Sequence, residues 1–129
     1  LVGSEMCIRD SGYMTDSFHY LRDDCKAVLP ADYTMLAANQ IKLFANFDKM
    51  RILEYLTLNG ASCVSDIVAG IESEQLKVSQ NLKRLRDDGF VVCHREGRYI
   101  IYDITPGVHK TAIQCIHKRY DSLKNKDDF

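Results

Sequence analysis

No run of apolar residues in this chain approaches the roughly 20 that a membrane-spanning helix needs. No apolar core near the start marks a secretory signal. Catalytic signatures are missing too: there is no glycine-rich phosphate loop, no His-Glu-x-x-His pair and no strand-borne nucleophile elbow. The acidic pairs Asp23–Asp24, Asp87–Asp88 and Asp127–Asp128 fall on expected solvent faces or tails, so an enzyme finds little support. No Cys-x-x-Cys pair, internal repeat or low-complexity stretch occurs. What remains is room for one hydrophobic core, since 129 residues suffice for one compact domain and fall short of two.

The first eleven residues stand apart. Residues 1–11, from Leu1 to Ser11, read as the in-frame translation of a transposase sequencing-library adapter, so they are expected to be non-native, with Met14 one candidate start. Setting aside Glu5, Asp10 and Arg9 leaves acidic and basic side chains in balance. A neutral protein does not coat nucleic acid indiscriminately, but it can carry a local basic face. Without Cys7 the cysteines are Cys25, Cys63, Cys93 and Cys115. Their scatter, with no signal segment, points to the reducing cytoplasm rather than to a disulfide framework.

Residues 12–31 read as a flexible arm closed by Pro30. Asp32 is placed to cap a helix over 32–45, and Asn46 a second over 47–58 that Asn59-Gly60 ends. A short helix over 64–70 is expected to stop at Gly70. After a turn, a helix over 74–88 puts Val78, Leu82 and Leu85 on one face, with Gly89 behind it. The period then changes from helix to strand. Phe90–His94 and Arg98–Ile104 flank a tight Glu96-Gly97 turn, and the second run is rich in β-branched and aromatic residues. A last helix over 108–124 and a polar tail, 125–129, complete the chain. The expected fold is mainly α with a small β-hairpin, a winged helix-turn-helix in the order α-α-α-α-β-β-α, with the domain proper at 32–124.

Three segments carry a resemblance to the ArsR family of small winged-helix repressors. Residues 43–53, LFANFDKMRIL, resemble that family's ALADPTRLRIL. Residues 78–91, VSQNLKRLRDDGFV, resemble its recognition helix, VSRHLKVLREAGLV. Residues 95–102, REGRYIIY, resemble its wing, REGRWVYY. Phe47 stands where the family usually has proline and Asn46 where it has Asp; both permit a capped helix start. The resemblance implies a DNA-binding transcriptional regulator, a repressor in that family's usual sense, that works as a homodimer on a near-palindromic operator.

The residues themselves point the same way. With Val78, Leu82 and Leu85 facing a core, Leu76, Lys77, Gln80, Lys83 and Arg84 turn outward and Asn81 lies at the margin. Gln and Asn amides pair bidentately with adenine, and Lys suits guanine or phosphate. Arg95 and Arg98 around the hairpin turn suit phosphate or minor-groove contact. Residues 75–98 hold six Lys or Arg against three Asp or Glu. The candidate DNA-binding set is Gln75, Lys77, Ser79, Gln80, Asn81, Arg84, Arg95 and Arg98. A solvated face and a winged-helix protein-interaction module remain open as alternatives. The resemblance further implies that the helices over 32–45 and 108–124 serve dimerisation; they could instead only complete a monomer core.

A sensing role is less defined. Metal-sensing members of the family carry ELCVCDL where this chain has residues 61–67, ASCVSDI: Cys63 keeps the first thiol and Ser65 replaces the second. One thiolate is a poor site for a thiophilic metal or metalloid ion, so Cys63 with Cys25 from the arm is the only candidate pair. Cys63 is expected at a helix N-cap with Asp66 at N3, where the helix dipole favours a thiolate. Against this, a free cysteine often serves as a small buried hydrophobe. A thiol redox switch with DNA binding as its output stays open as a further alternative. The family's other metal pattern is missing, and His109 and His117, about 12 Å apart along one helix, are expected to be surface histidines.

Overall fold

A computed structural model describes residues 28–125; the adapter-like segment 1–11, most of the expected arm, Cys25 and the end of the tail lie outside the described residues. The elements are α1 (Ala31–Phe44), α2 (Phe47–Asn59), β1 (Ser62–Cys63), α3 (Val64–Ile71), α4 (Gln75–Asp87), β2 (Val91–Glu96), β3 (Tyr99–Ile104) and α5 (Val108–Asn125). The chain divides after Gln40, and the core and site treated below lie within residues 41–125.

The expected helix and hairpin order is present, with one addition. Ser62 and Cys63 pair antiparallel with Tyr102 and Ile101, so the sheet has three strands in the order β1-β3-β2. Two residues are too few to show a strand period in sequence. α1 begins at Ala31, one residue earlier than expected, and the Pro30 carbonyl accepts from the Tyr33 and Thr34 N–H groups. Asp32 therefore lies in the first turn rather than at the cap, where its carboxylate still complements the positive end of the helix dipole. Asn46 does cap α2: its side-chain oxygen accepts from Lys49 N at 3.1 Å. Lys49 Nζ in turn donates to the Leu43 carbonyl at 2.8 Å, satisfying one of the orphan acceptors that end α1.

Two turns differ from the sequence expectation. Gly70 does not stop α3; the helix runs on to Ile71, and Glu72 takes the left-handed conformation (φ 54°) that caps it. Gly70 serves packing instead, because a β-carbon there would run into the Tyr55 ring of α2. In the hairpin, Glu96 pairs with Tyr99, so the two-residue loop is Gly97-Arg98 rather than Glu96-Gly97. Gly97 has φ 63° while Arg98 is not in positive-φ space, the pattern of a type II′ turn with glycine first. Arg98 thus sits in the loop itself, at the tip of the hairpin.

The core is assembled as the helical spacing requires. Val78, Leu82 and Leu85 of α4 meet Ile52, Leu53 and Leu56 of α2, Ile67 of α3, Ile113 of α5 and Val91 and Ile104 of the hairpin in one buried cluster. Each fully buried Leu or Ile contributes about 1.5–3 kcal/mol, and truncating Leu82 to Ala should cost about 2–5 kcal/mol. That stripe fixes the rotation of α4 and so decides which of its residues face outward.

His109 is not a surface histidine. It is 4% exposed, with Phe90 at 4.8 Å and Phe44 at 6.2 Å between ring centroids. A helix-opening histidine on an amphipathic face gives no sequence sign of the aromatic pocket that receives it. Phe44 and Phe90 also meet edge to face at 5.3 Å. The Thr105 hydroxyl donates to the Gly89 and Phe90 carbonyls at 2.9 and 3.1 Å and lies 3.2 Å from His109 Nε2. With the hydroxyl proton so committed, Nε2–H is the donor to Thr105, which selects one neutral tautomer.

Candidate nucleic-acid interface

Opposite the buried Val78–Leu82–Leu85 stripe, α4 presents a narrow ridge about two turns long. Leu76, Gln80 and Arg84, each four residues apart, stand on it with Lys83 beside them, all exposed. Gln80 and Arg84 are therefore the centrally placed members of the candidate set. Leu76, the most exposed side chain among them that is apolar (69%), is outward as expected but was not among the candidate readers. The signal that could have found it is its i, i+4 relation to Gln80.

The remaining α4 candidates flank this ridge. Gln75 is exposed in the first turn and Ser79 half-buried on one side. Lys77 lies on the other side, where its ammonium is 3.5 Å from Asp48 of α2. It helps line a cleft of about 520 Å³ with Phe47, Arg51 and Ser73. Asn81 is half-buried, and its amide donates to the Lys77 carbonyl one turn back at 3.0 Å. The Lys77 ion pair is exposed and worth well under about 1 kcal/mol, so the lysine can be released to another anion. The Asn81 contact leaves its carbonyl oxygen available.

The hairpin follows α4 directly in the chain, and its first strand packs against that helix. Arg95 is exposed, with a long contact of 3.5 Å from Nη1 to the Gly97 carbonyl. Arg98 lies 5.5 Å over the Tyr99 ring, a cation–π contact that orients the guanidinium without neutralising it. On either side of Arg95 on β2, His94 and Glu96 pair at 2.7 Å. Two exposed features result: a helix ridge with Gln80, Lys83 and Arg84, where Lys83 lies 3.2 Å from Asp87, and a hairpin with Arg95 on β2 and Arg98 in its loop. At the helix–hairpin junction, Arg86 Nη1 donates to Cys93 Sγ at 3.8 Å, a role for Cys93 in holding the wing to α4.

The sensing candidates are less well supplied. Cys63 is the N-cap of α3, as its spacing to Asp66 predicted, but its side chain makes no capping bond; Sγ lies 3.2 Å from Ser65 Oγ. Among the described residues no three His, Cys, Asp or Glu side chains come together. One thiol and one hydroxyl do not fit a thiophilic ion. The second half of the expected pair, Cys25, lies outside the described residues. His117, half-buried on α5, places Nε2 3.2 Å from Glu54 Oε2 on α2, while Glu54 also takes Arg51 at 3.0 Å. The His117 contact does not meet hydrogen-bond geometry, which leaves Nε2 without a hydrogen-bond partner among the described residues. No helix among the described residues is long and apolar enough to cross a membrane.

A helix-turn-helix whose second helix bares a polar ridge, followed at once by an arginine-tipped wing, defines a winged helix-turn-helix DNA-binding transcriptional regulator. No family model matches the chain. Known proteins do. The transcriptional activator HlyU of Vibrio cholerae is 31% identical over 80 residues, covering 62% of this chain and 73% of its own. A solved structure of HlyU superposes with a TM-score of 0.63 over 70% of this chain and 98% of that one. The arsenical resistance operon repressor of Escherichia coli is 24% identical over 92 residues, 71% of this chain and 79% of its own. The antimony-specific repressor AntR shares the fold, with a TM-score of 0.71 at 21% identity over 81% of this chain and 94% of its own. The chain belongs to the ArsR family of winged-helix transcriptional regulators.

Proposed function

We propose that the chain acts as a homodimer on a near-palindromic operator, with α4 in the major groove and the wing on the flanking backbone. The ridge opposite the buried α4 stripe is the observation that carries this reading. In it, Gln80 and Arg84 contact base edges, Gln75, Ser79 and Asn81 contact bases or sugar at the margins, and Lys77, Arg95 and Arg98 hold phosphates. Dimerisation rests on exposed apolar side chains: Tyr33, Met35 and Leu36 on α1, and Val108, Ile116 and Tyr120 on α5. One small helix binds DNA weakly, and a two-fold dimer spans two half-sites about one helical turn apart. Repression by occlusion of the promoter is the proposed sign, in the reducing cytoplasm.

The proposed signal acts through a thiol, at Cys63 with Cys25, and lowers DNA affinity by favouring a dimer in which the two α4 helices are misplaced. Because the described residues offer no ion-binding set, no step is assigned to a metal. A mobility shift on the gene's own upstream DNA, with protein lacking residues 1–11, tests the reading. The arms are no addition, As(III), Cd(II), Zn(II) and a mild oxidant. Specific, salt-sensitive binding is expected, with release in at least one arm. Absence of any specific binding refutes the operator reading. Normal responses in both Cys63→Ser and Cys25→Ser refute the thiol sensor and leave the DNA reading standing.

A further inference from the structure

The ridge of α4 is polar or charged at Gln80, Lys83 and Arg84 but apolar at its leading end, where Leu76 is 69% exposed in the first turn. Leu76 does not belong to the core stripe, and no second apolar side chain stands on the ridge beside it. A single leucine on the polar ridge of α4 offers far less area than the apolar patches that proteins use to dock on one another. It is the right size for one methyl group. In the major groove the sole apolar feature of the base edges is the C5 methyl of thymine. The N-terminal end of a recognition helix is also the part that approaches those edges.

We infer that Leu76 reads a thymine methyl and, with Gln80, specifies a thymine and an adenine in each half-site. The inference rests on α4 occupying the major groove as proposed above. Leu76 and Gln80 are four residues apart on one face, about 6 Å along the helix. At about 3.4 Å per base pair, the two readers fall within about two base pairs of each other. Gln80 is exposed, and its side chain makes no hydrogen bond among those described within the protein, which leaves its amide to match the N6 and N7 of adenine. Arg84, one turn further on, suits a guanine and does not discriminate between A·T pairs, and Lys83 lies 3.2 Å from Asp87.

Replacing thymine by uracil tests this, because it deletes only the methyl and leaves base pairing and phosphates intact. An operator is selected from random-sequence DNA with the full chain, and each dT is replaced by dU in turn. One methyl-sized group is worth about 0.8 kcal/mol, about fourfold in affinity. One dT per half-site should show that loss, and the symmetric double replacement should show roughly its square. Leu76→Ala should lose a similar factor on the unmodified operator and become indifferent to dU at that position. Its melting temperature should not fall, since Leu76 is exposed and Ala is the better helix former. Equal binding of every dU operator, or continued dU sensitivity in Leu76→Ala, overturns the assignment while specific binding persists. If Leu76→Ala, Gln80→Ala and Arg84→Ala all leave affinity unchanged, it is the placement of α4 in the groove that fails.

Discussion

Acidification should destabilise this protein through His109. The imidazole lies between Phe44 and Phe90 at 4% exposure. Burial pushes its pKa below the ordinary 6.5, against the opposing hydrogen bonds at Thr105 and Phe90. The folded state therefore resists a proton that the unfolded chain accepts. Stability is full above the unfolded pKa and is lost as pH falls through about 6.5 toward the lower folded value. The slope cannot exceed about 1.4 kcal/mol per pH unit for one proton. If the folded state took up no proton at all, the loss between pH 7.5 and 5.5 would reach about 1.4 kcal/mol, which is the ceiling. His109→Gln isolates this contribution, since Gln can still donate to Thr105 and does not titrate. At pH 7.5 it should be less stable by about 0.5–1.5 kcal/mol, the value of the lost aromatic contacts. Urea melts of both proteins from pH 7.5 to 5.5 should show that gap narrowing with acid. A gap independent of pH would falsify the assignment of His109 as a buried neutral ring.

Gly70→Ala should destabilise, because the new methyl meets the Tyr55 ring; overpacking of about 1–3 kcal/mol outweighs the roughly 1 kcal/mol gain in helix propensity. A rise in melting temperature would show that Tyr55 moves aside freely. Arg98→Ala should weaken binding evenly across DNA sequences and lower the slope of log affinity against log salt by about 1, as for one lost phosphate contact. A change in base preference with no change in slope would instead place Arg98 on a base.

Much of the fold is legible because its signals are local. Asn46 three residues before Lys49 is a capping arrangement, and it caps α2. The spacing of Val78, Leu82 and Leu85 states which face of α4 is buried, and so places Gln80 and Arg84 outward. What sequence missed depends on contacts between distant segments. Gly70 reads as a stop signal, yet its reason is a tyrosine fifteen residues away in the chain. β1 exists only because β3 offers it an edge. The turn moved by one residue because glycine at the first loop position satisfies a type II′ geometry, which the string Arg-Glu-Gly-Arg does not distinguish from its neighbours. Among the candidate readers, spacing alone treats Lys77 and Gln80 alike. Only the structure turns Lys77 toward Asp48 and leaves Gln80 on the ridge.

The same long-range contacts suggest where the DNA-facing end and the proposed dimer helices are joined. Phe44 closes α1, Phe90 opens the wing and His109 opens α5, and their rings share one site. Thr105 completes it by binding the carbonyls of Gly89 and Phe90, the corner between α4 and β2. Close-packed rings have little slack, so a shift of α5 is passed on to that corner rather than absorbed. Thr105→Val tests the joint with almost no change of shape. It removes the hydroxyl from Gly89 O and from His109 Nε2, while the Thr105 N–H to Phe90 O bond and the backbone acceptors that His109 meets at Thr105 and Phe90 persist. Loss of the hydroxyl's hydrogen bonding costs about 0.5–1.5 kcal/mol per bond. Amide exchange in β2 and β3 should then quicken more than in α2, and operator affinity should fall although no DNA-facing side chain has changed. Uniform loosening of the whole domain, with affinity intact, would reduce Thr105 to an ordinary core contact and leave the wing positioned by the sheet alone.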